Sequence, residues 1–316
     1  MKITLLTLFP EILRGFFESS IMARAVKAGI ISYEIVNIRD YAFDRHRKCD
    51  DEVFGGGAGM LMKPEPLGRA LEAAGVIDAA GTATVAGMAG TTAVAGTTGT
   101  VPAAVAKMGT AALAKIGTAR TVFLTPSGRL LNQALARELS CESELVLICG
   151  RYEGIDQRIV DSYVDDEISI GDYVLSSGEI AALVLVDAVY RLIPGVISGE
   201  SLCEESFGAG PASGPRGDSH PGRNLGAGLL EYPQYTRPAI YDTIKVPEVL
   251  TSGNHAQIAR WRLRKSLEKT LAYRPELLAT ADLPEEVRNL LREITTEGGS
   301  HEPYTASPGG TDQRER

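Results

Sequence analysis

Two stretches of the chain, residues 1–75 and 120–195, alternate short apolar runs with segments whose apolar positions recur every three or four residues. Residues 3–9 have the pattern of a buried strand, and Pro10 with Glu11 then opens a helix carrying Ile12, Leu13, Phe16 and Phe17. Residues 31–38 read as a second strand, followed by a loop over 39–63 with Phe54-Gly-Gly-Gly-Ala-Gly-Met60 at its middle. Residues 122–124, 145–149 and 167–170 supply three more strands. Residues 179–192 are apolar nearly all round, which predicts a buried helix stopped by Pro194-Gly195. Strands alternating with helices predict an α/β domain: a mostly parallel sheet with helices on both faces.

Three of these strands run into glycine-bearing segments. They are Thr125-Pro-Ser-Gly-Arg129, Cys149-Gly-Arg-Tyr-Glu-Gly154 and Ser169-Ile-Gly-Asp-Tyr-Val-Leu-Ser-Ser-Gly-Glu179. Loops at the carboxyl ends of neighbouring parallel strands converge on one crevice, where ligands usually bind. A lining rich in main chain and poor in bulk suits a flat heterocycle such as adenine.

The regular alternation fails in three places. Residues 76–119 are almost wholly Ala, Gly, Thr and Val, with Asp78, Lys107 and Lys115 the only charges, which predicts an inserted surface loop. Residues 208–228 are rich in Gly, Pro and Ser and form the middle of an expected interdomain linker over 201–232. The polar tail over 295–316 is expected to be disordered. Residues 1–200 are then the α/β domain and 233–294 a small helical one. In the latter, Asn254 can cap a helix ended by Pro275. Ala259, Leu263, Leu267 and Leu271 form its apolar stripe, while Arg262, Lys265 and Lys269 share roughly the opposite face, flanked by Arg260 and Arg264. Five basic residues against the single acid Glu268 favour a phosphate-backbone contact over a merely solvated face.

Composition narrows the class. The 316-residue chain is 44% hydrophobic and carries a net charge of −8, so it does not coat nucleic acid indiscriminately, though a local basic patch remains compatible. Cys49, Cys141, Cys149 and Cys203 contain no C-x-x-C pair, which favours free thiols in a reducing cytoplasm. The apolar amino terminus is too short and too interrupted for a signal peptide, and no run approaches a bilayer span, so a cytoplasmic location and no membrane role are expected.

Ordered blocks of residues carry a specific resemblance. They are Leu8-Phe-Pro-Glu11, Asp44-Arg-His-Arg47, Asp50-Asp51, Gly55-Gly-Gly-Ala-Gly-Met-Leu-Met62, Cys149-Gly-Arg-Tyr-Glu-Gly-Ile-Asp156 and Ser169-Ile-Gly-Asp-Tyr-Val-Leu-Ser176. Further blocks are Arg191-Leu-Ile-Pro-Gly-Val196, Tyr235-Thr-Arg-Pro238, Ser252-Gly-Asn-His255 and Arg260-Trp-Arg-Leu263. Through them the chain resembles the bacterial tRNA (guanine-37-N1)-methyltransferases of the SPOUT superfamily over residues 1–75, 121–207 and 229–290. The resemblance implies a deep trefoil knot, a homodimer whose active sites draw on both subunits, and a tRNA anticodon stem-loop as substrate. It also implies S-adenosyl-L-methionine as methyl donor and help from Mg²⁺, for which the sequence offers no carboxylate cluster.

Carried over position by position, the resemblance implies donor contacts at Leu124, Thr125, Pro126, Gly128, Gly150, Tyr152 and Glu153. Ile170, Gly171, Asp172, Tyr173, Val174, Leu175 and Gly178 complete that set. Asp50, Gly55, Gly59 and Ser206 are expected around the target base and its neighbour, with Asp50 accepting from a guanine edge. The catalytic pair implied is Arg191, on the purine O6, and a carboxylate that removes the N1 proton. That carboxylate is Glu205, in Cys203-Glu-Glu-Ser-Phe207, where the family has an aspartate; Glu204 is one residue out of register. An α/β-hydrolase would need G-x-S-x-G and a P-loop NTPase G-x-x-x-x-G-K-[ST], and neither occurs. The alternative of another class is a noncatalytic RNA-binding protein on the same fold.

Overall fold

The computed structural model describes residues 1–76, 119–199, 202, 205–207, 228–281 and 283–297. Nearly all of the expected insertion, the glycine-rich middle of the linker, the weaker base candidate Glu204, Cys203 and the tail beyond residue 297 lie outside the described residues. The chain divides into two compact units, Met1–Ile197 and Ser198–Arg316.

In the first unit, β1 (Lys2–Thr7), β2 (Ser32–Asn37), β5 (Ala119–Leu130), β6 (Glu144–Cys149) and β7 (Asp166–Ser169) form one sheet, ordered β2-β1-β6-β5-β7, with every pair parallel. Alternate side chains go to opposite faces. Ile3 and Leu5 of β1 with Leu145 and Leu147 of β6 join one buried cluster; Leu6 with Val146 and Ile148 joins the other. Helices α1 (Pro10–Phe17), α2 (Ser20–Lys27), α4 (Gln133–Ser140) and α6 (Gly178–Tyr190) cover the first face, and α3 (Pro64–Ala73) and α5 (Gln157–Tyr163) the second. Because β6, β5 and β7 are neighbours, the segments that follow them lie side by side at one edge of the sheet.

Three expectations change. Thr125-Pro-Ser-Gly-Arg129 is not a loop after a short strand: β5 runs on for 12 residues, and its register against β7 slips between Leu124 and Arg129. Gly128 sits at that slip, where an added Cβ would lie 2.4 Å from the Glu167 carbonyl carbon. The 39–63 loop holds a 3₁₀ turn (Ile38–Tyr41) and an antiparallel hairpin, β3 (Asp50–Glu52) with β4 (Met60–Met62), whose turn is the glycine run. Gly55, Gly56, Gly57 and Gly59 all take positive φ there, a conformation that costs a side chain-bearing residue free energy. Finally, α6 is not buried all round. Ala182, Leu185, Val186 and Val189 are enclosed, whereas Ile180 and Val184 are 47% and 43% exposed.

The second unit has its own core of Leu229, Leu267, Leu283, Val287, Leu290 and Ile294. After a small hairpin, β8 (Ile240–Tyr241) with β9 (Ile244–Lys245), come α7 (Glu248–Thr251), α8 (His255–Tyr273), α9 (Glu276–Thr280) and α10 (Glu285–Glu297). Asn254 caps α8 as expected, its side chain accepting from the Gln257 N–H at 3.2 Å. The buried stripe is shifted from the one expected: Ser266, Leu267 and Thr270 are enclosed, while Leu271 is exposed. Two polar residues fit there because they anchor main chain. Thr270 Oγ1 accepts from the Leu230 N–H at 3.0 Å, and the Ser266 hydroxyl donates to the Leu230 carbonyl. The described parts of the expected linker are tied as well, since Ser206 Oγ accepts from the Glu231 N–H at 2.9 Å and the Phe207 N–H donates to the Leu229 carbonyl at 3.2 Å.

Candidate active site

At the carboxyl edge of β5, β6 and β7 lies a cavity of about 250 Å³. Phe123, Ile168 and Ala181 give it an apolar floor. Leu124, Thr125 and Pro126 form one wall, Gly150, Tyr152 and Glu153 the second, and Ile170, Gly171, Tyr173, Val174, Leu175 and Gly178 the third. Two expected residues are outside this wall: Gly128 is spent on the close approach of β5 to β7, and Asp172 is exposed.

The glycines set the cavity's dimensions. The Gly178 N–H donates to the Gly150 carbonyl at 2.8 Å, and a Cβ on Gly178 would come within 2.6 Å of the Gly150 nitrogen. A Cβ on Gly150 would lie 2.8 Å from the Phe123 ring. Only hydrogen at both positions lets the second segment and the start of α6 close on each other. The third wall turns at Gly171, where φ is +155° and the Ser169 hydroxyl donates to the Gly171 carbonyl at 3.0 Å.

The β3–β4 hairpin is stitched to the second wall. The Glu153 N–H donates to the Met60 carbonyl at 3.0 Å, and the Met62 N–H to the Gly154 carbonyl at 3.0 Å. Gly59 packs so closely on Glu153 that a Cβ would fall 2.4 Å from the Glu153 Cγ. Tyr152, held at a φ of +56°, reaches toward Asp50, its hydroxyl 3.4 Å from Oδ1. Burial, and then the Asp50 charge, push the Tyr152 phenol above its ordinary pKa. Asp50 and Gly59 thus join the cavity's rim, whereas Gly55 faces open space at the hairpin tip beside the fully exposed Phe54.

The remaining expected residues are elsewhere. Arg191 is the C-cap of α6, whose first residue lines the cavity. A helix of that length is roughly 20 Å long, beyond the reach of any side chain. Its neighbourhood is the opposite edge of the sheet, where Gly195 packs against Ile30 just before β2. Arg191 therefore does not serve the cavity of its own chain. Glu205 and Ser206 belong to the second unit and are half-buried.

The basic face of α8 differs from the expectation. Lys265 and Arg264 both engage Glu268, at 2.6 and 2.9 Å, Arg264 also engages Glu297, and Arg260 pairs with Glu293 at 3.5 Å. Arg262 is half-buried with its guanidinium 4.8 Å from the Tyr232 ring centroid. Lys269 is exposed.

Sequence reading missed two residues beside the cavity. Glu179, at the start of α6, is fully buried and accepts a 2.6 Å hydrogen bond from the Thr7 hydroxyl. Arg151, on the second wall, lies 3.7 Å from its other oxygen. An acid opening an otherwise apolar run was the available signal. Among the described residues, no three His, Cys, Asp or Glu side chains gather as a metal site, and no helix is long and apolar enough to cross a membrane.

The family model described as tRNA (Guanine-1)-methyltransferase TrmD matches residues 1–93 and 88–280. The chain belongs to this family. It is 50% identical to a tRNA (guanine-N(1)-)-methyltransferase of Treponema denticola over 281 residues, 89% of this chain and 92% of that one. Relatives of the same name from Treponema pallidum and Borreliella burgdorferi are 48% and 49% identical, covering 95% and 88% of this chain and 99% and 92% of theirs. The two TrmD matches meet inside the Ala/Gly/Thr-rich segment, so the α/β order on either side of it belongs to one family pattern. The cavity on that pattern has an apolar floor, and walls whose main chain is brought close by Gly150 and Gly178.

Proposed function

We propose that this protein is a tRNA (guanine-37-N1)-methyltransferase using S-adenosyl-L-methionine, acting on the anticodon stem-loop in the cytoplasm. One observation carries the reading: three glycine-bearing segments of a TrmD-family chain enclose one cavity, with Asp50 and Tyr152 at its rim. Residues 1–200 are the catalytic domain in this reading and 233–294 the tRNA-binding one, joined through 201–232.

Bound in the cavity, S-adenosyl-L-methionine supplies an electrophilic methyl group. Leu124, Thr125 and Pro126, Gly150, Tyr152 and Glu153, and Ile170, Gly171, Tyr173, Val174, Leu175 and Gly178 would hold it, largely through main chain. The chain's remaining task is to make guanine N1 nucleophilic. Glu205 takes the N1 proton, and Arg191 stabilises the negative charge left on O6. Since Arg191 stands at the far end of α6, the arginine at each site comes from a second copy, which makes the working form a homodimer. The exposed Ile180 and Val184 on α6 supply apolar surface compatible with such a contact. Asp50, Gly55, Gly59 and Ser206 surround the target guanine and its 5′ neighbour once the base is unstacked. Lys269, with Arg262 and Lys265, faces the RNA backbone. Mg²⁺ enters only as a helper implied by the resemblance, and no step here runs through it.

The test is single-turnover methyl transfer to a guanine-37 tRNA transcript at saturating enzyme. Glu205→Gln should slow it by roughly 10²–10⁴-fold, the range for a lost general base, with donor affinity unchanged. Undiminished activity would move the base role to Glu204. No transfer by the unaltered protein would leave an RNA-binding protein on this fold.

A further inference from the structure

Beneath the second and third walls of the cavity lies a buried acid that the reaction as proposed does not use. Glu179 is wholly enclosed at the start of α6. Its Oε1 accepts from the Thr7 hydroxyl at 2.6 Å, and that hydroxyl accepts from the Phe9 N–H at 2.9 Å, so Thr7 is oriented to donate. Its Oε2 has no hydrogen-bond partner among the described residues. The group facing it is Arg151 Nε, 3.7 Å away, which is also buried and also lacks a hydrogen-bond partner. The Arg151 guanidinium rests on the Phe9 ring, 4.2 Å from its centroid, and its Nη1 lies 3.4 Å from the Ser176 carbonyl.

We infer that Arg151, answered by the buried charge of Glu179, is a positioning residue of the donor cavity: it ties the second wall to the third across the Phe9 platform. The topology explains why a tie is needed. Gly150 to Glu153 and Ile170 to Gly178 come from different strands, and the main-chain link between them noted above is the Gly178 to Gly150 bond at 2.8 Å. Arg151 adds a second tie from Ser176, in the third wall, and a third to α6. Without Glu179, the buried Arg151 Nε would face no carboxylate. Without Arg151 the enclosed carboxylate would keep a single hydrogen bond.

This inference rests on the donor reading above, so its test begins with unaltered protein. Calorimetric titration of the full chain with S-adenosylhomocysteine must show binding; if it shows none, the donor reading fails before this one is reached. Glu179→Gln keeps the shape and the acceptor for Thr7 but removes the charge. Arg151→Lys keeps a charge but loses the fork, and, standing partly exposed on the wall, is the variant more certain to fold. Both should weaken S-adenosylhomocysteine by roughly 10- to 100-fold, the range expected if the charged tie from Arg151 to the Ser176 carbonyl is lost in each. Filter-binding affinity for tRNA without donor should stay within about 3-fold of the unaltered protein. The double variant Glu179→Gln/Arg151→Lys should be no worse than the poorer single one, because the two residues act as one unit. Donor affinity unchanged in Arg151→Lys would overturn the inference. So would losses in donor and tRNA affinity of equal size accompanied by a fallen melting temperature, since a merely structural pair does that.

Discussion

Replacing Gly178 by alanine tests whether the cavity depends on backbone contact. The added Cβ would meet the Gly150 nitrogen at 2.6 Å, the Cys149 Cα at 2.9 Å and the Cys149 carbonyl carbon at 3.0 Å. Ordinary contact begins near 3.4 Å, so the start of α6 must retreat by about 0.8 Å in an interior that is close-packed. No side chain can rotate aside, because all three obstacles are main chain. The retreat also stretches the 2.8 Å bond from the Gly178 N–H to the Gly150 carbonyl. Overpacking of this kind costs about 1–3 kcal/mol, or roughly 2–12 °C in melting temperature for a unit of this size. Since both displaced segments are cavity walls, donor affinity should fall too, by roughly 5- to 150-fold if the same free energy is lost from the bound state. Thermal unfolding and calorimetry with S-adenosylhomocysteine read the two effects. Gly128→Ala is the control, because its Cβ also strikes backbone, at 2.4 Å, but away from the cavity wall. It should lower the melting temperature with the smaller effect on donor affinity. A Gly178→Ala protein that melts and binds as the unaltered one does would refute the reasoning, as would equal donor losses in both variants.

Lys269→Ala, on the exposed side of α8, should weaken tRNA binding and reduce the salt slope by about one phosphate contact, without loss of stability; an unchanged slope would remove α8 from the interface. Thr243 holds a φ of +74° in the two-residue turn between β8 and β9, beside Asp242 at +51°. Thr243→Gly should stabilise the second unit by about 1 kcal/mol in urea unfolding, and a loss of stability would mean that the turn is unstrained. Asp156 caps α5, accepting from the Arg158 N–H at 2.9 Å, and the Arg158 guanidinium holds its carboxyl below the ordinary range, with the capped N–H adding to it. Asp156→Ala should cost about 1 kcal/mol at neutral pH. A depressed carboxyl stabilises the fold above its unfolded-state pKa and loses that contribution as the pH falls toward the lower folded value, so the gap between the two proteins should close below about pH 4. A gap that persists in acid would assign the loss to something other than the charge.

What could be read from the chain depended on how far each signal reaches. Pro10 opens α1 and Asn254 caps α8 because both effects act within one helical turn. The convergence of three glycine-bearing segments was legible because parallel strands put their exits at one edge. The hairpin pairing Asp50 with Met62 was not, since three-residue strands carry no period to detect. Pro126 reads as a strand breaker, yet β5 passes through it, because the register slip beside Gly128 frees its position from the ladder. The counterions on α8 were hidden for another reason. Glu293 and Glu297 reach Arg260 and Arg264 across 33 residues, so a census of one helix counted the bases and missed their acids. Arg191 gives the sharpest case. The resemblance implies Arg191 on the purine O6, but a helix is a rod, and 13 residues of it carry the arginine to the other edge of the sheet from Gly178. Its proposed place on guanine O6 therefore demands a second molecule. Mixing Arg191→Ala protein with Glu205→Gln protein tests whether the copy that supplies Arg191 to a site also supplies its Glu205. If the two residues reach one site from different copies, some mixed dimers regain a complete pair and activity returns; if one copy supplies both, mixed dimers regain nothing.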